Sequence, residues 1–184
     1  AYEIRPRDWS SDVCSSDLLT NINAPGAPTS VSATDQGTGR AYNNGQMSVS
    51  FTPTAETVGF PSTFTVTPSP TTSPSTFAGT SSPITVTGLS SSTQYTYTVT
   101  SANNTGTSSA SSASSAVTAT TVPQAPTISA TAGDTVATIA ITPGATGGAA
   151  ISQYSITSSP TTTTQTTSDV SYTFTRSEEH TSEL

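Results

Sequence analysis

Side chains that carry out chemistry are scarce in this sequence. Its 184 residues include one Cys, one His and one Trp, which are Cys14, His180 and Trp9, and all three lie close to the ends. Residues 19–175 therefore contain neither an imidazole nor a thiol. A hydrolytic triad needs a base to activate its serine, and zinc needs Cys or His ligands. We expect no enzymatic activity, no cofactor and no metal site.

Charge is also scarce, at 8% of all residues. Between residues 19 and 175 the single base Arg40 stands against four acids, which leaves a net charge of −3. Nucleic-acid binding requires clustered basic side chains, and no apolar run is long enough to span a membrane. The four acids fall in predicted loops of different repeats, so the sequence predicts neither a glycosidase pair nor a calcium cluster. These acids are Asp35, Glu56, Asp134 and Asp169.

The two ends differ from the rest of the chain. Residues 9–18 and 176–184 can be encoded by DNA strings that are reverse complements of each other over their shared length. Both strings resemble sequencing-adapter oligonucleotides, and residues 1–7 fit the adapter bases further out. We therefore interpret residues 1–18 and 176–184 as non-native tails and exclude them from fold reasoning.

Apolar residues in the middle of the chain recur at alternate positions, and Ser or Thr stands between them. This period of two is typical of half-buried strands, and Pro, Gly, Asn and Ser separate the segments. It predicts strands near residues 29–33, 47–52, 63–67, 84–87, 94–101 and 116–120. The predicted inward side chains are Met47, Val49, Phe51, Phe64, Val66, Tyr95, Tyr97 and Val99.

An internal repeat organises these strands. Ala27-Pro28-Thr29 returns as Ala125-Pro126-Thr127. Val49–Pro53 and Phe64–Val66 match Ile139–Pro143 and Tyr154–Ile156 with one constant offset. The repeat predicts a first module over residues 19–121 and a second over residues 122–175.

The segment from Leu89 through Tyr95 to Val99, followed by Asn103 and Gly106, resembles the late strands of fibronectin type III domains. The resemblance implies an all-β fold of tandem immunoglobulin-like β-sandwiches. It also implies that Leu89 and Tyr95 form the tyrosine corner, in which the phenol bonds to upstream backbone. Phe51 and Ile141 replace the family's usual Trp, which implies a smaller core.

The second module is expected to be truncated. Tyr172-Thr173-Phe174-Thr175 aligns with Ile84-Thr85-Val86-Thr87, and the tail-like segment begins where the next turn should follow. The sequence therefore predicts that the last two strands of the second module are missing.

Five residues are candidates for ligand contact. Tyr42, Phe60 and Phe77 could stack on sugars as exposed aromatics, and Asn103 and Asn104 lie in a loop that many type III domains use for recognition. Edge packing for the aromatics and turn formation for the asparagines are the structural alternatives.

Three functions stay open at this point. The repeats could be structural spacers, carbohydrate- or cell-surface-binding modules, or accessory modules of a secreted polysaccharide hydrolase. Serine- and threonine-rich repeats of this kind resemble those of phage virion proteins and bacterial secreted or surface proteins. The resemblance implies an extracellular, cell-surface or virion location, with surface glycans or other virion or surface proteins as partners and no nucleic acid.

Overall fold

The computed structural model describes residues 24–54, 63–159 and 163–175. Within these ranges the chain forms thirteen β-strands and no helix. The strands are β1 Thr29–Asp35, β2 Gly45–Thr52, β3 Thr63–Ser69, β4 Phe77–Gly79, β5 Ile84–Leu89, β6 Gln94–Asn103, β7 Gly106–Thr107, β8 Val117–Thr118, β9 Thr127–Ala132, β10 Val136–Thr142, β11 Tyr154–Ile156, β12 Gln165–Thr167 and β13 Ser171–Thr175. The predicted all-β fold class is confirmed.

Each strand predicted for the first repeat is present, and the predicted alternation decides which side chains are buried. In β2 the burial of Met47, Val49 and Phe51 alternates with more exposed neighbours, and β6 shows the same pattern. The strand predicted over residues 116–120 is shorter than expected, because only Val117–Thr118 pair with β6. None of the described segments is a helix of the length and apolarity that a membrane crossing requires.

Among the described residues, the strands of the first repeat form two sheets. One has the order β1–β2–β5, and the other has the order β4–β3–β6–β7, with β8 also paired to β6. Immunoglobulin-type sandwiches place strands one, two and five in one sheet and three, six and seven in the other. The strand orders here follow that scheme, except that the fourth strand, which the constant-type sandwich places beside strand five, here pairs with β3.

By its internal contacts the chain divides into two compact units. Among the described residues, the first unit contains residues 24–33, 48–54, 63–85 and 96–115. The second contains residues 34–47, 86–95, 116–159 and 163–175. Strands β1, β2, β5 and β6 contribute residues to both units. The module boundary after residue 121 stays a prediction.

The core of the first unit lies between its two sheets. The rings of Phe51 on β2 and Phe64 on β3 have centroids 4.9 Å apart, which shows that the sheets pack face to face there. Removing a Val, Ile, Phe or similar side chain from water contributes about 1.5–3 kcal/mol, so a handful of them can stabilise a small sandwich. The buried apolar side chains of this unit are Val49, Phe51, Phe64, Val66, Ile84, Tyr97 and Val99.

A serine ladder follows β6 in the first unit. Ser108, Ser111 and Ser114 occur every third residue in a Ser-Ser-Ala repeat. Each of them donates its backbone N–H to the carbonyl of a β6 residue and accepts that residue's N–H on its Oγ. Ser108 pairs with Ser101, Ser111 with Val99 and Ser114 with Tyr97. Each step of three residues along the serine ladder therefore matches a step of two residues along β6. Each Oγ also donates to the next carbonyl along the chain.

The second unit includes the strands of the second repeat. Strands β13, β10 and β9 form an antiparallel sheet in that order, and β11 pairs with β12. Ile141 and Ile156 are buried, whereas Ile128 is 64% exposed and Val170 is 55% exposed. All six residues of β9 are exposed, in contrast to the alternation of β2. This unit also buries Met47, Val86, Leu89, Tyr95 and Ala119.

Candidate functional site

The turn between β5 and β6 contains the residues predicted to form the tyrosine corner. Leu89 is fully buried, and Tyr95 is 3% exposed. The backbone N–H of Ser90 donates to the Tyr95 hydroxyl over 3.1 Å. Gly88 and Ser92 have positive φ angles of 72° and 61°, which turn the chain sharply on either side of this bond. Tyr95 therefore ties the turn to the strand that comes after it.

Replacing Tyr95 by phenylalanine should lower the free energy of unfolding by about 1–3 kcal/mol, because the Ser90 amide loses an acceptor beside a buried ring. Urea denaturation would measure this loss. Tyr172→Phe is a matched control, since the Tyr172 hydroxyl donates to Gln165 Oε1 over 2.8 Å and that partly buried amide can turn to water. A Tyr95→Phe chain that unfolds like the parent would contradict the structural role.

Polar contacts join the β1–β2 and β5–β6 loops to the segment 119–124, which we call the junction segment. The Asp35 carboxylate accepts the backbone N–H groups of Gly37 at 3.3 Å and Thr120 at 3.2 Å, and it also accepts the Thr120 hydroxyl. Asn43 N–H donates to Ser91 Oγ, and Ser91 N–H donates to Asn43 Oδ1. Ser91 Oγ lies 2.6 Å from Thr121 Oγ1. The network holds one side of the junction segment.

The loop 144–148 holds the junction segment from the second repeat. Thr121 N–H donates to the Gly147 carbonyl and Gln124 N–H to the Ala145 carbonyl, both over 2.8 Å. Gly147 has a φ of +74°, and a Cβ there would lie 2.5 Å from the Thr121 carbonyl oxygen. Only glycine permits this approach of two backbones. In the sequence, Gly147-Gly148 is compatible with a plain loop between strands as well as with this close contact.

Arg40, the only basic residue between residues 19 and 175, also contacts the junction segment. The Arg40 guanidinium donates to the Asn44 carbonyl over 2.6 Å, to Gln46 Oε1 over 2.8 Å and to Asn44 Oδ1 over 3.3 Å. The Arg40 carbonyl accepts the N–H of Val122 over 2.9 Å. Arg40 therefore orders the loop that receives the junction segment.

Two of the three predicted aromatic contact residues, Tyr42 and Phe77, lie in a turn and in a strand. Tyr42 is half-buried at the second position of the turn Ala41–Asn44, which is closed by a 3.0 Å hydrogen bond from Asn44 N–H to the Ala41 carbonyl. Phe77 is half-buried on β4, directly opposite Val66 of β3. Phe60 lies outside the described residues.

The predicted asparagine contacts lie in the two-residue hairpin between β6 and β7. Asn103 Oδ1 accepts from the N–H groups of Thr105 at 2.9 Å and Gly106 at 3.1 Å, which closes the turn, whereas Asn104 is exposed. Phe77 is two strands away from β6 and four residues back from Asn103 in register. That places Phe77 and Asn103 on the order of 15 Å apart. The structure therefore does not bring Phe77 and Asn103 together.

Comparison with known proteins gives structural similarity alone. No protein-family model matches this chain, and no curated protein matches it. Domains A168–A170 from titin match with a TM-score of 0.41 and 17% identity, covering 52% of this chain and 32% of that one. Chicken CNTN1 domains FN1–FN3 match with a TM-score of 0.42 and 13% identity, covering 83% of this chain and 56% of that one. A myokine structure matches with a TM-score of 0.36 and 17% identity, covering 52% of this chain and 97% of that one.

Proposed function

We propose that this chain is a non-catalytic pair of fibronectin type III-like repeats, residues 19–121 and 122–175, that acts as a structural spacer or adhesive module. The repeats would belong to a larger virion, cell-surface or secreted protein. The observation that carries the proposal is the hydrogen-bonded junction segment between the two repeats. Residues 1–18 and 176–184, proposed to be non-native tails, lie outside the described residues.

A spacer has to keep a defined geometry between the domains on either side of it. Linkers that make no contacts behave as flexible coils, whose ends wander over a distance set by their length. The junction segment instead donates N–H groups to Gly147 and Ala145 on one side and to Arg40 on the other. Backbone contacts of this kind do not depend on side-chain rotamers, so they fix the path of the chain between the repeats.

The alternative function is a carbohydrate- or cell-surface-binding accessory module of a secreted polysaccharide hydrolase. Its support is the partial exposure of Tyr42 and Phe77, together with the exposed Asn104. Sugar stacking needs aromatic faces presented together with polar groups, whereas Phe77 is half-buried beside the fully buried Val66, its partner in the pairing of β4 with β3. The spacer is therefore the function that the geometry supports better.

A glycan array probed with the whole chain would distinguish the two functions. We expect no glycan-specific signal, because Tyr42 lies half-buried in a closed turn and Phe77 lies half-buried in a paired strand. The triple substitution Tyr42→Ser, Phe60→Ser and Phe77→Ser serves as the control for any signal that appears. Specific binding that this triple substitution abolishes would contradict the spacer function and establish the binding module.

A further inference from the structure

Strand β11, the third strand of the second repeat, has an edge that is unpaired among the described residues, whereas its counterpart β3 is paired on both sides. In the first unit, β3 pairs with β4 on one side and with β6 on the other. In the second unit, β11 pairs with β12, and the described residues provide it with no other strand partner. Because Phe64–Val66 of β3 match Tyr154–Ile156 of β11 by the repeat, the open edge of β11 corresponds to the edge that β6 covers.

An apolar cavity lies beside this open edge. Its volume is about 390 Å³, and it is lined by Pro126, Ile128, Ile141, Ile151, Tyr154 and Ile156, among others. In the first unit, β6 turns Tyr97 and Val99 inward, and both side chains are fully buried. Val66, the counterpart of Ile156, stands directly opposite Val99. The cavity is therefore in the position that inward side chains of a β6-like strand occupy in the first repeat.

Charge and register define what would fill this position. The residues that line the cavity carry no charge, and neither does any residue of β6. In the first repeat the strand at this edge is β6, which pairs with β3 and buries Tyr97 and Val99. An uncharged strand with the same alternation therefore fits the position.

We propose that the open edge of β11 and the adjoining cavity form an acceptor site for one extended, uncharged strand with the alternation of β6. The strand adds antiparallel to β11 through backbone hydrogen bonds, and its inward tyrosine and valine enter the cavity. Strand addition of this kind takes its affinity from main-chain bonds and its specificity from pockets for alternate side chains. The site does not depend on the spacer function.

Fluorescence polarisation with the whole chain and a labelled peptide tests the site. The peptide copies Leu89–Asn103, and we expect saturable binding with a Kd of roughly 10 μM, which corresponds to a modest interface. A control peptide carries threonine at the positions of Tyr97 and Val99, which keeps the backbone bonds but leaves the cavity empty. We expect the control peptide to bind at least about tenfold more weakly. Equal binding of the two peptides, or no binding of either, would overturn the proposal.

Two variants of the protein localise the binding. Ile128 lines the cavity, whereas Val170 lies outside its lining, and both side chains are more than half exposed, so either can become lysine without loss of core. We expect Ile128→Lys to weaken peptide binding at least about tenfold and Val170→Lys to leave it unchanged. Matching circular dichroism spectra would show that both variants are folded. Unchanged binding by Ile128→Lys would overturn the proposal.

Hydrogen exchange identifies the strand to which the peptide adds. Bound peptide should slow exchange in residues 154–158 and leave β9 and β6 unchanged. Protection of β9 would place the peptide on the other edge of the second repeat. Faster exchange in Gln94–Asn103 would mean that the peptide displaces β6 from the first repeat. Either result would contradict an acceptor site on β11.

Discussion

Replacing Gly37 by alanine is expected to lower the free energy of unfolding by about 3 kcal/mol, the upper end of the usual cost of overpacking. A Cβ at this position would lie 1.7 Å from the Thr120 carbonyl oxygen and 2.9 Å from its carbon. Both atoms belong to the backbone, so no rotamer change relieves the overlap. The β1–β2 loop must move away, and the hydrogen bonds that Gly37 and Thr120 donate to Asp35 weaken with it. Urea denaturation followed by circular dichroism would measure the loss.

Gly39 provides the matched control for Gly37. It lies in the same loop with a φ of +81°, and a Cβ there would meet no atom within 4 Å. Gly39→Ala should therefore show only the backbone strain of a left-handed residue, about 1–2 kcal/mol. If both substitutions lower the free energy of unfolding equally, the prediction that Gly37 is needed for the close approach of the loop to the junction segment is wrong.

Replacing Ser108, Ser111 and Ser114 together by alanine is expected to lower the free energy of unfolding by about 3–6 kcal/mol. The N–H groups of Tyr97, Val99 and Ser101 would each lose the hydroxyl that accepts them. A buried amide left without an acceptor costs about 1–3 kcal/mol, and water can reach part of this edge. Faster hydrogen exchange at these three amides would accompany the loss in urea denaturation.

The neighbouring serines of the same repeat make a matched control. Ser109, Ser112 and Ser115 are exposed, and their carbonyls rather than their hydroxyls take part in the serine ladder. The variant with alanine at these three positions has the same composition and length as the serine-ladder variant. Surface substitutions of this kind usually change the free energy of unfolding by less than about 0.5 kcal/mol each. Equal losses in the two triple variants would contradict the serine ladder.

The sequence predicts the strands well because burial in a sandwich is a local pattern of period two. Met47, Val49 and Phe51 alternate with polar neighbours in the sequence, and the structure buries all three. The Ser-Ser-Ala repeat has a period of three and no apolar face, so the period-two pattern of strands does not predict its structure. Its role comes from lying beside β6, where each serine donates its backbone N–H to a β6 carbonyl and accepts the N–H of the same β6 residue on its hydroxyl.

The junction could not be predicted from local pattern for a similar reason. Asp35, Arg40 and Gly147 are ordinary loop residues until the fold places them around the junction segment. Gly147-Gly148 gave the one sequence signal, because consecutive glycines are compatible with close backbone contact as well as with a plain loop. Asn103 and Phe77 have the opposite character. Their residue types suggest binding, whereas the structure places Asn103 in a hydrogen-bonded turn and Phe77 in a paired strand.

The central claim is that the junction segment is held rather than free, and a distance measurement within the second unit tests it directly. Spin labels on Gln94→Cys and Thr138→Cys, with Cys14→Ser, place one label in each repeat on exposed strand positions. Eight residues, 119–126, lie between β8 and β9. If they formed a free linker, they would spread the distance by roughly 15 Å. We predict one narrow distance distribution, which Gly147→Ala broadens because its Cβ would collide with the Thr121 carbonyl. A parent distribution as broad as that of a free linker, unchanged by Gly147→Ala, would contradict the account.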